Sequence, residues 1–341
     1  MDSVSQFALG AAVGAAVMGR RTALWKAALW GGIAGTLPDL DSFLDYGDAV
    51  RNMTFHRSHS HGLFWLTLGA PALGWLASRA GGPRDAFRRW WLAMWLALVT
   101  HPLLDTMTVY GTQLLQPFSD HPFAIGSIFI IDPLYTLPLL VGLAAALASR
   151  RPSGRRWNHL GLGLATLYLA WSMAAQWQVR QVAQDSLAGT AASGAPMLVT
   201  PAPLNTLLWR VVVMQDDHFL EGFHSLLDPQ RRVVFRRFER DAALREQLRE
   251  FEPVRRMAAF THGFYKVHAE GDLAYVTDLR MGQEPGYVFS FWVARHDTRW
   301  VPVVPINAGW RGDVREGLAW TWERMLGRHD RPWDGAGRWS H

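Results

Sequence analysis

The chain has 341 residues, no cysteine, and a net charge of +5 that is almost wholly arginine, since Lys26 and Lys266 are its two lysines. That length admits two domains. The missing cysteine excludes a disulfide framework and a thiolate metal site, and the arginines are scattered without the aromatic-basic pattern of a nucleic-acid module, so no nucleic-acid partner is expected. The charged fraction of 18% falls below the ~25% usual for soluble domains, and a mean hydropathy of −0.01 averages an apolar first half with an arginine-rich second half.

Six apolar stretches precede residue 180, at 4–19, 22–37, 62–78, 90–104, 127–149 and 157–179. The last two reach the ~20 residues that span a bilayer and the others are short for it. Tryptophans near their ends, as at Trp90, Trp91, Trp171 and Trp177, fit interfacial anchoring. The first stretch lacks the basic flank of a signal peptide. The pattern predicts an α-helical membrane domain of about six helices over residues 1–180, a Gln/Ala/Gly/Ser/Thr/Pro linker over 181–205, and a smaller soluble α+β domain over 206–341. In that second domain 207–214, 232–238, 264–269, 273–280 and 287–294 read as strands, and 241–252 and 314–326 as helices.

Arginines at 20–21, from 79 to 89 and from 150 to 156 separate alternate stretches, which puts those loops on the cytoplasmic side of a multi-pass protein. The remaining loops then face outward. They hold Asp39, Asp41, Asp45, Asp48, His56, His59, His61, Asp105, Asp120 and His121. Carboxylate and imidazole are the side chains that bind catalytic divalent metals, and their placement beside hydrocarbon is costly enough to mark a functional site.

Three blocks carry that chemistry. His101 and Asp105 are four apart and share a helix face, as a chelating pair requires. Pro38-Asp39-Leu40-Asp41 ends a helix, and in an extended run Asp39 and Asp41 point the same way; the competing reading is an Asx turn. His56-Arg57-Ser58-His59-Ser60-His61 puts three imidazoles before an apolar helix. Arg57 offers a fork for phosphate or carboxylate, and Ser58 or Ser60 can cap the helix. Asp132-Pro133 reads as an N-cap, residues 111–119 as a loop walling the substrate, Asp120-His121 as a turn, and Asp216-Asp217-His218 with His224 as a solvated turn.

Together Pro38-Asp39-Leu40-Asp41, His56-Arg57 with Ser60-His61, His101 with Asp105, and Gly111, Leu114-Leu115 and Pro117-Phe118 resemble the YdjM family, over roughly residues 1–180. Ser60 stands where the family has Thr, Gly62 where it has Ser, and His59 falls on a variable position. The resemblance implies a bacterial inner-membrane, metal-dependent hydrolase with phospholipase-like chemistry. It implies metal ligation by Asp39, Asp41, His61, His101 and Asp105, with His56 and Arg57 nearby.

The leading expectation is one to three Zn²⁺ or Mn²⁺ ions activating water against a phosphoester or ester of a lipid or lipid-linked substrate at the outer face. Asp41 or Asp39 would act as base, Arg57 would hold phosphate and His56 would protonate the leaving group. The oligomeric state is left open. A cation transporter and a non-catalytic membrane anchor are the rival classes. Transport sites lie near the membrane midplane on broken helices, whereas these blocks sit at helix ends, and an anchor leaves the Asp/His set without a purpose.

Overall fold

The structure is a computed structural model that describes residues 1–81, 86–149, 151–309 and 313–328. Arg84 and Arg150, two of the basic separators, lie outside the described residues. Helices come first: α1 (Ser3–Met18), α2 (Leu24–Thr36), α3 (Ala49–Phe55), α4 (Leu63–Gly81), α5 (Phe87–Thr106), α6 (Pro133–Ala148) and α7 (Arg156–Leu187), with 3₁₀ turns at Leu37–Phe43 and His59–His61. Then follow β1 (Met197–Pro201), β2 (Leu208–Met214), β3 (His218–Ser225), β4 (Val234–Glu239), α8 (Ala242–Leu248), α9 (Glu252–Phe260), β5 (Tyr265–Glu270), β6 (Leu273–Asp278), β7 (Gly282–Gln283), β8 (Gly286–Tyr287), β9 (Ser290–His296), β10 (Trp300–Asn307) and α10 (Val314–Met325). The chain divides into two compact units, one made of Met1–Leu44 and Phe55–Ser172 and the other of Asp45–Thr54 and Met173–His341.

No described helix is long and apolar enough to cross a membrane, which overturns the expected six-helix membrane domain. The elements themselves give the reason. Helices α1, α2 and α6 have 16, 13 and 16 residues, or roughly 20–24 Å at ~1.5 Å per residue, against a hydrocarbon layer of ~30 Å. Helix α6 is shorter than its apolar stretch because Asp132 caps it at Leu134 N, with Pro133 as its first residue. Helices α4 and α5 are longer, but α4 interleaves Trp, Gly and Pro71, and α5 contains Arg88, Arg89, His101 and Asp105. The 32-residue α7 turns polar from Gln176 onward. The positive-inside orientation needs spanning helices and loses its premise with them.

In the first unit α1 packs on α2 through facing glycines. A Cβ on Gly10 would lie 2.3 Å from the Gly31 carbonyl oxygen, so no larger residue allows this approach. Helices α4 and α5 close the core around Trp90, Met94, Leu66 and Met18. A second cluster holds Ile128, Tyr135, Leu139 and Leu104.

In the second unit β1-β2-β3-β4 and β10-β9-β6-β5 are antiparallel four-stranded sheets, and β7-β8 is a small hairpin. The central strand β2 is buried along its whole length. The stretch 181–205 holds the end of α7, a turn and β1.

Candidate metal centre

His101 and Asp105 sit one turn apart on α5, and both are fully buried. Their shared face follows from the i, i+4 spacing. The 3₁₀ turn after α2 brings in Asp39, and the turn at His59–His61 brings in His61, also fully buried. His61 Nε2 and His101 Nε2 are 3.0 Å apart. Asp39 Oδ1 lies 3.5 and 3.4 Å from those nitrogens, and Asp105 Oδ2 lies 3.3 and 3.4 Å from them. A tetrahedral ion with bonds of ~2.0–2.1 Å spaces its ligand atoms about 3.3–3.4 Å apart. The imidazole–imidazole and imidazole–carboxylate distances lie near that value, and all four ligand atoms fall within 4.8 Å of one another, so the group could hold one metal ion.

The proton positions support the same conclusion. His101 Nδ1 lies 2.6 Å from the Gly35 carbonyl oxygen, which can only accept, so Nδ1 carries the proton and the neutral ring turns a lone pair on Nε2 inward. Ser60 donates its hydroxyl proton to Asp41 Oδ2 at 2.5 Å, so its oxygen accepts from His61 Nδ1 at 2.8 Å, and His61 Nε2 also presents a lone pair. Two lone pairs at 3.0 Å repel unless a cation lies between them. Beside them Asp105 Oδ2 is buried and accepts no hydrogen bond, so it keeps acceptor capacity free toward the two imidazoles. The donor set of two imidazoles and two carboxylates fits a divalent metal.

Asp105 is held from behind. Its Oδ1 accepts from Gln6 Nε2 at 2.9 Å and from the Met1 amino group. Arg57 Nε lies 3.2 Å from Oδ2 but off hydrogen-bond alignment. Burial alone pushes the Asp105 carboxyl up, and Arg57, the amino group and the histidines outweigh it, holding it well below the usual range. Burial also works against the ionised form of Asp39, and the two imidazoles beside it, His101 first, reverse the balance, so it too is lowered. For His101, burial favours the neutral ring, but Asp105 and Asp39 raise it to about 9.

The sequence blocks do not all converge. In a 3₁₀ turn residues two apart point about 120° from each other, unlike the extended run expected for residues 38–41, so Asp39 enters the cluster and Asp41 turns away. Asp41 instead bonds His56 Nδ1 at 2.8 Å, the Arg57 backbone N–H at 2.9 Å, and Ser60. His56, His59 and His61 share no helix: α3 ends at Phe55, and Arg57 takes a left-handed φ of 66° between the two turns. That bend buries Arg57 with its guanidinium 4.9 Å over Tyr110.

His59, Asp120 and His121 are exposed and outside the cluster. Asp45 and Asp48 cap local turns. In the second unit Asp217 and His218 pair at the surface, while His224 is buried beside Asp228. Gln6, which bonds Asp105, belongs to no polar block of the sequence, and its one signal there is an amide inside an Ala/Gly-rich helix.

A family model described as YdjM inner membrane protein matches residues 1–179. The chain is also 27% identical over 248 residues to the uncharacterized protein YfhP of Bacillus subtilis, a match covering 68% of this chain and 72% of that protein. No solved structure matches.

Proposed function

The chain belongs to the YdjM family, and from that premise we propose that it is a membrane-associated, metal-dependent hydrolase that cleaves a phosphoester or ester of a lipid-like substrate. The observation that carries this reading is the convergence of Asp39, His61, His101 and Asp105 around a buried carboxylate oxygen that accepts no hydrogen bond. The family's name points to a membrane location. The element that supplies Asp39 also exposes Leu40 and Phe43, followed by Leu44, which supports a substrate with a hydrocarbon part.

In this reading Asp39, His61, His101 and Asp105 hold Zn²⁺ or Mn²⁺. When bound, the ion supplies Lewis acidity, which polarises the ester and makes water acidic near neutral pH. Asp39 is the least buried of the four and marks the side from which substrate arrives. Asp41 fixes the His56 ring through Nδ1, so His56 exchanges protons at Nε2, first as base and then as acid to the leaving group. Asp41 itself, with three hydrogen bonds, orients His56 and His61. Arg57 Nε has no acceptor and is the donor for a phosphoryl oxygen, while its charge balances the carboxylates.

The test is metal analysis of the purified full chain together with hydrolysis assays on phospholipid vesicles and on bis(4-nitrophenyl) phosphate. Stoichiometric Zn or Mn is expected, and His101→Ala should lose both metal and turnover while the melting of the C-terminal unit is unchanged. A wild-type protein without stoichiometric metal sinks the proposal. Stoichiometric metal with no turnover of any ester favours the binding or transport alternative.

A further inference from the structure

The second unit contains a cavity of ≈ 240 Å³ that shares no residue with the metal centre. Its floor is a stretch of sheet where β3 and β4 pair Phe223 with Val234 and Glu221 with Arg236. Helix α10 walls one side with Trp320 and Arg324, and the β7 turn walls the other with Glu284. Trp320 meets Phe223 edge to face at 4.9 Å, giving the cavity an aromatic corner.

The charges of the lining decide what would bind there. Glu221 is buried and takes 2.7 and 2.6 Å contacts from the buried Arg210. Glu284 takes a 2.5 Å bond from Lys266, and Asp228 receives two 2.8 Å bonds from Arg324. Every carboxylate of the lining therefore has its own cation. Arg232 and Arg236 have no acidic partner among the described residues, which leaves the cavity with two uncompensated positive charges.

Charged residues on an edge strand often serve only to block pairing with another chain. On β4 that role falls to Arg237 and Glu239 on the opposite face, where Arg237 pairs with both Glu239 and Asp217. Arg232 and Arg236 line the cavity instead.

We propose that this cavity is a binding site for a phosphate monoester with a small apolar group, its phosphate held by Arg232 and Arg236 and its apolar part against Trp320 and Phe223. A phosphate monoester carries roughly −1.5 to −2 at neutral pH, which matches two guanidiniums, whereas a monocarboxylate leaves one of them unpaired. The guanidinium fork is also the geometry suited to phosphate oxygens.

The test is calorimetric titration of the full chain in EDTA, which removes any contribution of phosphate at the metal centre, with phenyl phosphate, inorganic phosphate and benzoate as probes. Phenyl phosphate should bind saturably, with inorganic phosphate and benzoate each about tenfold weaker. Arg232→Ala and Arg236→Ala should each weaken phenyl phosphate by about tenfold, and both side chains are exposed, so the fold should survive. Trp320→Ala should remove the advantage of the phenyl group and leave inorganic phosphate unchanged. Competition by vesicles containing phosphatidic acid identifies a lipid headgroup as the source of the phosphate, and indifference to them identifies a soluble ester. Absence of saturable binding, affinity unchanged in both arginine variants, or benzoate binding as tightly as phenyl phosphate overturns the proposal.

Discussion

Each unit buries a cluster of charged side chains, and the two clusters differ in one respect. In the C-terminal unit Arg210 bonds Glu221, the Leu279 carbonyl and the Tyr287 hydroxyl. Nearby, Arg280 grips Asp278 through Nε and Nη2. Each of these charges has its counter-charge, and the networks tie strands together. In the N-terminal unit the burial is as deep, but two imidazole lone pairs face each other and one carboxylate oxygen accepts nothing. Burial of charge therefore does not by itself mark a functional site. What sets the N-terminal cluster apart is that two imidazole nitrogens and two carboxylate oxygens converge within 4.8 Å, the geometry of a candidate metal site.

The largest expected effect breaks the paired cluster. Arg210→Met leaves Glu221 buried without its partner and should cost about 3–5 kcal/mol of unfolding free energy, read by denaturant titration of tryptophan fluorescence. The metal content of the protein should not change. Adding Glu221→Leu should restore most of the loss, because an apolar pair of similar volume can replace a buried ion pair. A loss of bound metal in Arg210→Met would show that the two clusters are not independent.

The next effect is expected at the candidate metal centre. Ser60 links Asp41 to His61 and fixes which nitrogen of the ring is protonated. Outer-shell partners of this kind typically set metal affinity within a factor of about 10–100. Ser60→Ala should weaken affinity by that amount in a chelator competition, with little change in stability. Ser60→Thr keeps the hydroxyl and should rescue it. Equal affinity in wild type and Ser60→Ala would mean that the Asp41–Ser60–His61 chain does not orient the ligand.

Much of the candidate metal cluster is legible in the sequence, because its spacing is local. His101 and Asp105 needed only the helical repeat, and Asp39 and His61 stood in short polar blocks between apolar stretches. Asp41 groups with Asp39 only if the chain after Pro38 is extended, whereas it continues as a 3₁₀ turn. Apolar content alone suggests spanning helices, but caps, prolines and interleaved glycine and tryptophan shorten or dilute the real helices. Strand β10 was missed because Pro302 and Pro305 argue against a strand. It is tolerated as the edge of its sheet, with a bulge after Pro302. Strand β3 was hidden by His218, Glu221, Gly222 and His224, whose burial depends on partners distant in sequence.

The smallest expected effect separates the fully buried His101 from the half-buried His268. His101 is raised by carboxylates, whereas His268 is lowered to about 4, first by burial and then by repulsion from Lys266. Glu270 lies 3.6 Å from His268 Nε2 and would favour the charged ring, but its side chain is 59% exposed and water screens it. Burial prevails, consistent with a buried Nδ1 that has no partner. Since the folded protein holds this histidine below its unfolded value of 6.5, folding disfavours its protonation. The stabilising contribution is therefore present above pH 6.5 and lost as pH falls toward about 4. His268→Phe keeps the stack on Tyr275 and removes the titration, so the variant should lose less stability than wild type between pH 6.5 and 4 in denaturant melts. Equal acid sensitivity in the two proteins would place the pH response on other groups.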